Sequence, residues 1–87
     1  MITTTVIIED PIGLHARPAG QIVKLVKESG LTVHMGKAGQ ELVTANSPLR
    51  MMALKAKTGE QLVIEVDTDN QCIADALFAQ IQDFLKG

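Results

Sequence analysis

The segment GLHARPAG, residues 13–20, sets His15 between a glycine-led turn and a proline-marked helix start, with Arg17 two residues further on. An imidazole near neutral pH can act as a nucleophile, and a guanidinium offers a planar fork suited to phosphoryl oxygens. Pro18 suits the first turn of a helix, where its missing N–H is not needed. Such a helix start leaves backbone N–H groups without internal partners and carries the positive end of the macrodipole, so it attracts anions. The same field favours the neutral, nucleophilic imidazole. His15, Arg17 and the amides of Ala16 and Arg17 thus converge on a place where a phosphoryl group could be accepted and held. The alternative reading is that His15 only caps the helix and Arg17 is solvated, and a short motif by itself leaves both open.

The elements that must position these residues follow from hydrophobic spacing. Residues 2–8 alternate, with Ile2, Thr4, Val6 and Ile8 on one side, and their β-branched content suits a strand ended by Asp10, Pro11 and Gly13. From Ala16 to Ser29, the residues Ala16, Ala19, Val23 and Val26, flanked by Ile22 and Leu25, recur at helical spacing, and Gly30 stands at the C-terminal cap. LTVHM, 31–35, reads as a second strand, GKAG, 36–39, as a hairpin connection, and QELVT as a third strand. Ser47 and Pro48 read as cap and first position of a short helix with a stripe of Leu49, Met52, Ala53 and Ala56, closed by Thr58 and Gly59. Residues 61–66 alternate as a fourth strand, and Asp69 is placed to cap a last helix burying Ile73, Ala76, Leu77, Ile81 and Phe84. The order is βαββαβα: an α+β fold with helices over one face of a mainly antiparallel, four-stranded sheet.

A chain of 87 residues has room for one core, so residues 1–87 are read as a single domain. Its net charge of −2 offers no bulk attraction to nucleic acid or to an anionic membrane surface. The two aromatic residues, Phe78 and Phe84, cannot supply the stacking platform of a single-strand binder. No apolar run reaches the length of a membrane span, and MITTTVIIED lacks the pattern of a signal peptide, which predicts a cytoplasmic protein. His15, His34 and Cys72 lack the paired spacing of a zinc site, so no metal or cofactor is expected.

With these residues in view, GLHARPAG resembles the active-site signature of the HPr phosphocarriers of the bacterial phosphotransferase system, and the element order and length are similar to that family over essentially the whole chain. The resemblance implies an open-faced β-sandwich. It implies that His15 accepts a phosphoryl group on Nδ1 from phosphorylated Enzyme I, charged by phosphoenolpyruvate, and passes it to a sugar-permease IIA domain, with Arg17 stabilising the group. Gln21, Lys24, Lys27 and Arg50 resemble the polar and basic rim of the family's docking face, and Leu49 and Met52 its apolar centre. A monomer is implied. The related nitrogen-regulatory branch and a regulatory HPr-like binding protein stay open as alternatives, although a regulator that had lost transfer would be expected to lack His15.

Two departures stand out. Ile12 occupies a position that is polar in many members, so a side-chain hydrogen bond is missing and backbone amides must do more. Ser47 reads first as the cap of the short helix, which explains it completely without a kinase; the resemblance also matches it to the family's regulatory phosphorylation site for a serine kinase, but Pro48 follows it. Elsewhere, His34 is expected to face solvent, Cys72 to be a small packing residue, and Met35, Met51 and Met52 to fill gaps in the core or an interface.

Overall fold

The computed structural model describes residues 1–86. Its elements are β1 (Ile2–Ile7), α1 (Ala16–Ser29), β2 (Val33–Lys37), β3 (Val43–Thr44), α2 (Pro48–Ala53), β4 (Gln61–Val66) and α3 (Gln71–Phe84). The strands form one sheet in the order β1-β4-β2-β3, and every neighbouring pair is antiparallel. Thr4 and Met35 flank Ile64 in register. One face of the sheet carries Val6, Val33, Met35, Leu62, Ile64 and Val66 into a core closed by Ile22, Val23 and Val26 of α1, Met51 of α2, and Leu77, Phe78 and Ile81 of α3. Burying each such aliphatic side chain contributes about 1.5–3 kcal/mol, so this one interface carries the fold and hence the placement of α1. The expected α+β, open-faced architecture is the one observed.

Several local expectations are corrected, each for a physical reason. The second strand runs two residues later than LTVHM, and the third is confined to Val43–Thr44. Leu42 lies against Gly36, where an added Cβ would meet Leu42 Cδ2 at 2.8 Å, so the chain before Val43 folds over the sheet instead of pairing with it. The short helix stops at Ala53 rather than near Thr58, because Leu54 caps it and Lys55 turns left-handed at φ 55°. Its buried residue is Met51, which leaves Ala53 exposed and Leu49 73% exposed. In α1 the inward residues include Ala19, Ile22, Val23 and Val26, while Ala16 is exposed. In α3 the inward stripe is Ala74, Leu77, Phe78 and Ile81, with Ile73 and Ala76 exposed. That phase also turns Cys72 outward, so it is an exposed thiol and not a packing residue. His34 is half-buried: it pairs across strands with Glu65, its Nδ1 lies 3.9 Å from Glu65 Oε1, and that nitrogen is buried without a hydrogen-bond partner among the described residues. Met35 and Met51 fill the core as expected.

The caps differ most in consequence. Asn70, not Asp69, caps α3, its side-chain oxygen accepting from Ile73 N–H at 3.2 Å. Ser47 stands at the cap position of α2, but its hydroxyl makes no cap bond. Asn70→Ala is therefore expected to destabilise the chain by about 1 kcal/mol in urea unfolding, and Ser47→Ala by less than about 0.5 kcal/mol. Equal losses would contradict this assignment of the two caps.

Candidate functional site

α1 begins with His15 as its cap residue in an extended conformation, and its side chain makes no cap hydrogen bond. The ring is therefore free of the backbone. The His15 carbonyl accepts from Ala19 N–H at 3.1 Å, whereas the amides of Ala16 and Arg17 lie too early to find acceptors within the helix. No acidic residue in the first turn offsets the positive end of α1. Pro18 and Ala19 are buried beneath this turn and anchor it to the core.

The loop before His15 is held at many points. Glu9 and Asp10 N–H both donate to the Leu85 carbonyl, at 3.0 and 2.7 Å, which ties the loop to the end of α3. Leu14 N–H donates to Ala56 O at 3.0 Å, and the Thr58 hydroxyl donates to the Asp10 carbonyl. Gly13 adopts φ +93° and leaves no space for a side chain, since a Cβ there would sit 2.8 Å from Ala56 O. This glycine lets the turn press against residues 56–58.

Asp10, read in the sequence only as the end of a strand, is part of the site. It is the buried charged residue among those described, 6% exposed. Oδ1 accepts from Ile12 N–H at 2.8 Å, and Oδ2 lies 3.4 Å from His15 Nε2. The signal available in the sequence was local: aspartate before proline starts turns and binds the amide two residues on. Reaching His15 needed the Gly13 turn, which folds the chain back and which strand periodicity cannot reveal. Ile12 contributes no side-chain hydrogen bond, as expected, and its own amide is taken by Asp10.

The bond from Ile12 N–H holds the Asp10 carboxyl below its ordinary value of 3.8; burial works against this, and the His15 ring adds to the lowering. A carboxyl depressed in the folded state stabilises the fold fully above its unfolded value, and that contribution is lost as the pH falls through the depressed one. Asp10→Asn is therefore expected to flatten the loss of stability below about pH 4, measured by urea unfolding at stepped pH. An unchanged acid slope would show that these bonds do not form in solution.

His15, Arg17 and Gln21 line one open cleft of about 500 Å³ together with Asp10, Pro11, Ile12, Pro18, Asp83 and Phe84. Phe84, expected on the buried side of α3 and half-buried against the core, and Asp83, not singled out in the sequence, form the wall contributed by α3. Lys24 and Lys27 are exposed on α1, and Leu49 and Arg50 are exposed on the adjoining α2, where Met52 is half-buried. Ser47, at the start of α2, is half-buried. The lip of the cleft carries Ile12, 73% exposed. No helix among the described residues is long and apolar enough to cross a membrane.

A four-stranded open sheet that presents a histidine at a helix start without a cap bond, with an arginine and unpaired amides around it, is the kind of small domain whose site suits an anionic group. The family model described as the PTS HPr component phosphorylation site matches residues 2–86, and the chain belongs to the HPr phosphocarrier family of the phosphotransferase system. It is 39% identical over 57 residues to the phosphocarrier protein HPr of Streptomyces coelicolor, a match spanning 66% of this chain and 61% of that protein. Identity to the HPr of Borreliella burgdorferi is 29% over 86 residues, 99% of each chain. Among solved structures, a mycoplasma histidine-containing phosphocarrier protein superposes with a TM-score of 0.81 at 26% identity, over 97% of both chains.

Proposed function

We propose that this chain carries a phosphoryl group on His15, taking it from a phosphorylated Enzyme I charged by phosphoenolpyruvate and giving it to a IIA domain for sugar uptake. The observation that carries this reading is the placement of His15 at the start of α1 with no cap bond to the helix, beside Arg17 in an open cleft. In this reading Nδ1 takes the group, the amides of Ala16 and Arg17 and the Arg17 guanidinium bind its oxygens, and residues 1–87 act as one domain and as a monomer in the cytoplasm. Incubation with Enzyme I and phosphoenolpyruvate is expected to give an acid-labile, base-stable phosphoprotein. Onward transfer to a permease IIA domain, and not to a nitrogen-regulatory IIA protein, would place it in the sugar branch. Absence of labelling by either Enzyme I would remove the carrier reading.

Docking is assigned to the surface formed by Gln21, Lys24, Lys27, Leu49, Arg50 and Met52. It is supported by exposed cations on α1 and α2 and by exposed Leu49 and Ile12, an apolar centre with a basic rim. A Lys24→Glu, Lys27→Glu double variant is expected to weaken Enzyme I binding about tenfold, and parent affinity is expected to fall as salt is added. Affinity independent of both changes would discount the basic rim. Phosphorylation of Ser47 by a serine kinase belongs to the same reading, because a phosphate there would put roughly two negative charges beside Leu49 and oppose docking of an acidic partner.

A further inference from the structure

Asp10 is more firmly placed than a surface carboxylate in a loop would be. Its N–H is bound by Leu85 O, and its carbonyl accepts from Gly13 N–H and the Thr58 hydroxyl. One carboxylate oxygen is occupied by Ile12 N–H. The remaining oxygen has a fixed direction, and it faces Nε2 of His15 at 3.4 Å. A carboxylate accepts hydrogen bonds and donates none, so the ring nitrogen facing it must carry the proton. A neutral imidazole holds a single N–H, and the other nitrogen then keeps its lone pair.

The geometry assigns Asp10 as the positioning residue of the site: its carboxylate holds His15 in the Nε2–H tautomer and leaves Nδ1 as the nucleophilic nitrogen. This rests on His15 being the phosphoacceptor. When the Nδ1 lone pair attacks phosphorus, the Nδ1–P bond forms and the bond from phosphorus to the donor's leaving atom breaks, that atom keeping the electron pair. No proton has to leave the ring. The ring becomes cationic, its Nε2–H still directed at Asp10 Oδ2, and the fixed negative charge compensates it. On delivery the Nδ1–P electrons return to the ring, and the tautomer is ready for another cycle.

The informative variant is Asp10→Asn, which nearly preserves shape. Its side-chain oxygen can still accept from Ile12 N–H, while its NH2 group now faces Nε2 as a donor. A donor there requires Nε2 to be an acceptor and moves the proton to Nδ1. Ring 15N shifts of the full chain, recorded with the imidazole neutral, distinguish the two tautomers, with His34 as an internal control. The parent is expected to show Nε2–H at His15. In Asp10→Asn the Nδ1–H form is expected to gain by about tenfold or more in population, since one hydrogen bond to the useful tautomer is lost and one to the other is gained.

Phosphorylation is then followed with phosphoramidate, a small donor that needs no docking face and releases ammonia, so that chemistry is separated from Enzyme I binding. Asp10→Asn is expected to be labelled about tenfold more slowly than the parent, with backbone shifts away from residues 9–16 unchanged. A parent ring carrying its proton on Nδ1 overturns the assignment without reference to any variant. So does an Asp10→Asn chain that keeps both the parent tautomer and the parent labelling rate. Labelling that survives in His15→Ala would instead overturn the carrier reading itself, which keeps the two failures distinct.

Discussion

His15→Ala is expected to take up no phosphoryl group from Enzyme I and phosphoenolpyruvate while keeping the parent fold. The side chain is part-exposed, makes no cap bond to α1, and contacts Asp10 Oδ2 only at 3.4 Å, so removing it opens no core cavity. The group that the proposal assigns to form the bond to phosphorus is, however, lost completely. The other histidine cannot replace it, because His34 lies half-buried in the sheet beside Glu65, away from the free amides of α1. Labelled phosphoenolpyruvate followed by gel analysis reads the outcome directly. Label retained on the variant at the parent level would falsify the assignment of His15.

Arg17→Ala is expected to slow phosphoryl transfer by about 10²-fold, because losing a charged donor to negative charge that develops in the transition state costs on that scale. Stability should change by less than about 0.5 kcal/mol, since Arg17 is exposed and among the described residues holds no ion pair. Arg17→Lys should recover only part of the rate, because an ammonium supplies charge without the planar fork. Single-turnover labelling and urea unfolding on the same samples separate the two effects. Parent rates in Arg17→Ala, toward both donor and acceptor, would show that the backbone amides suffice.

The site depends on distant parts of the chain for its rigidity. Residues 9 and 10 hang from Leu85 at the end of α3, Leu14 from Ala56, and the Asp10 carbonyl is met by Thr58. α1, meanwhile, is fixed by Ile22, Val23 and Val26 in the core shared with the sheet. The loop and the helix start are therefore held by separate elements and meet at His15, so the proposed phosphoryl uptake there would not have to order the chain first.

What the amino-acid order determined by itself was whatever depends on near neighbours. The alternation in residues 2–8 and 61–66 and the 3.6-residue stripe of α1 specify strands and helix, because burying one face is decided by local spacing. Gly30 ends α1 as expected, at φ 71°. The histidine and arginine at a helix start were legible for the same reason: free amides and the macrodipole follow from the helix boundary alone. Choices between near-equivalent local options were not legible. Asp69 and Asn70 are both capable caps, and the structure uses Asn70; the stripe with Ile73 and the one with Ala74 share Leu77 and Ile81, and α3 is turned so that Ala74 and Phe78, not Ile73 and Ala76, join the core. The third strand shortens because Leu42 needs the space over Gly36, a contact between chain segments that pairing propensity does not describe. Asp10 is the plainest case. Its turn was visible locally, but its approach to Nε2 of His15 exists only because Leu85, Ala56 and Thr58 pin a loop whose Gly13 bends where other residues would be strained. Only the tertiary structure could bring those segments together, since the hydrogen bonds that hold the carboxylate come from parts of the chain far apart in sequence.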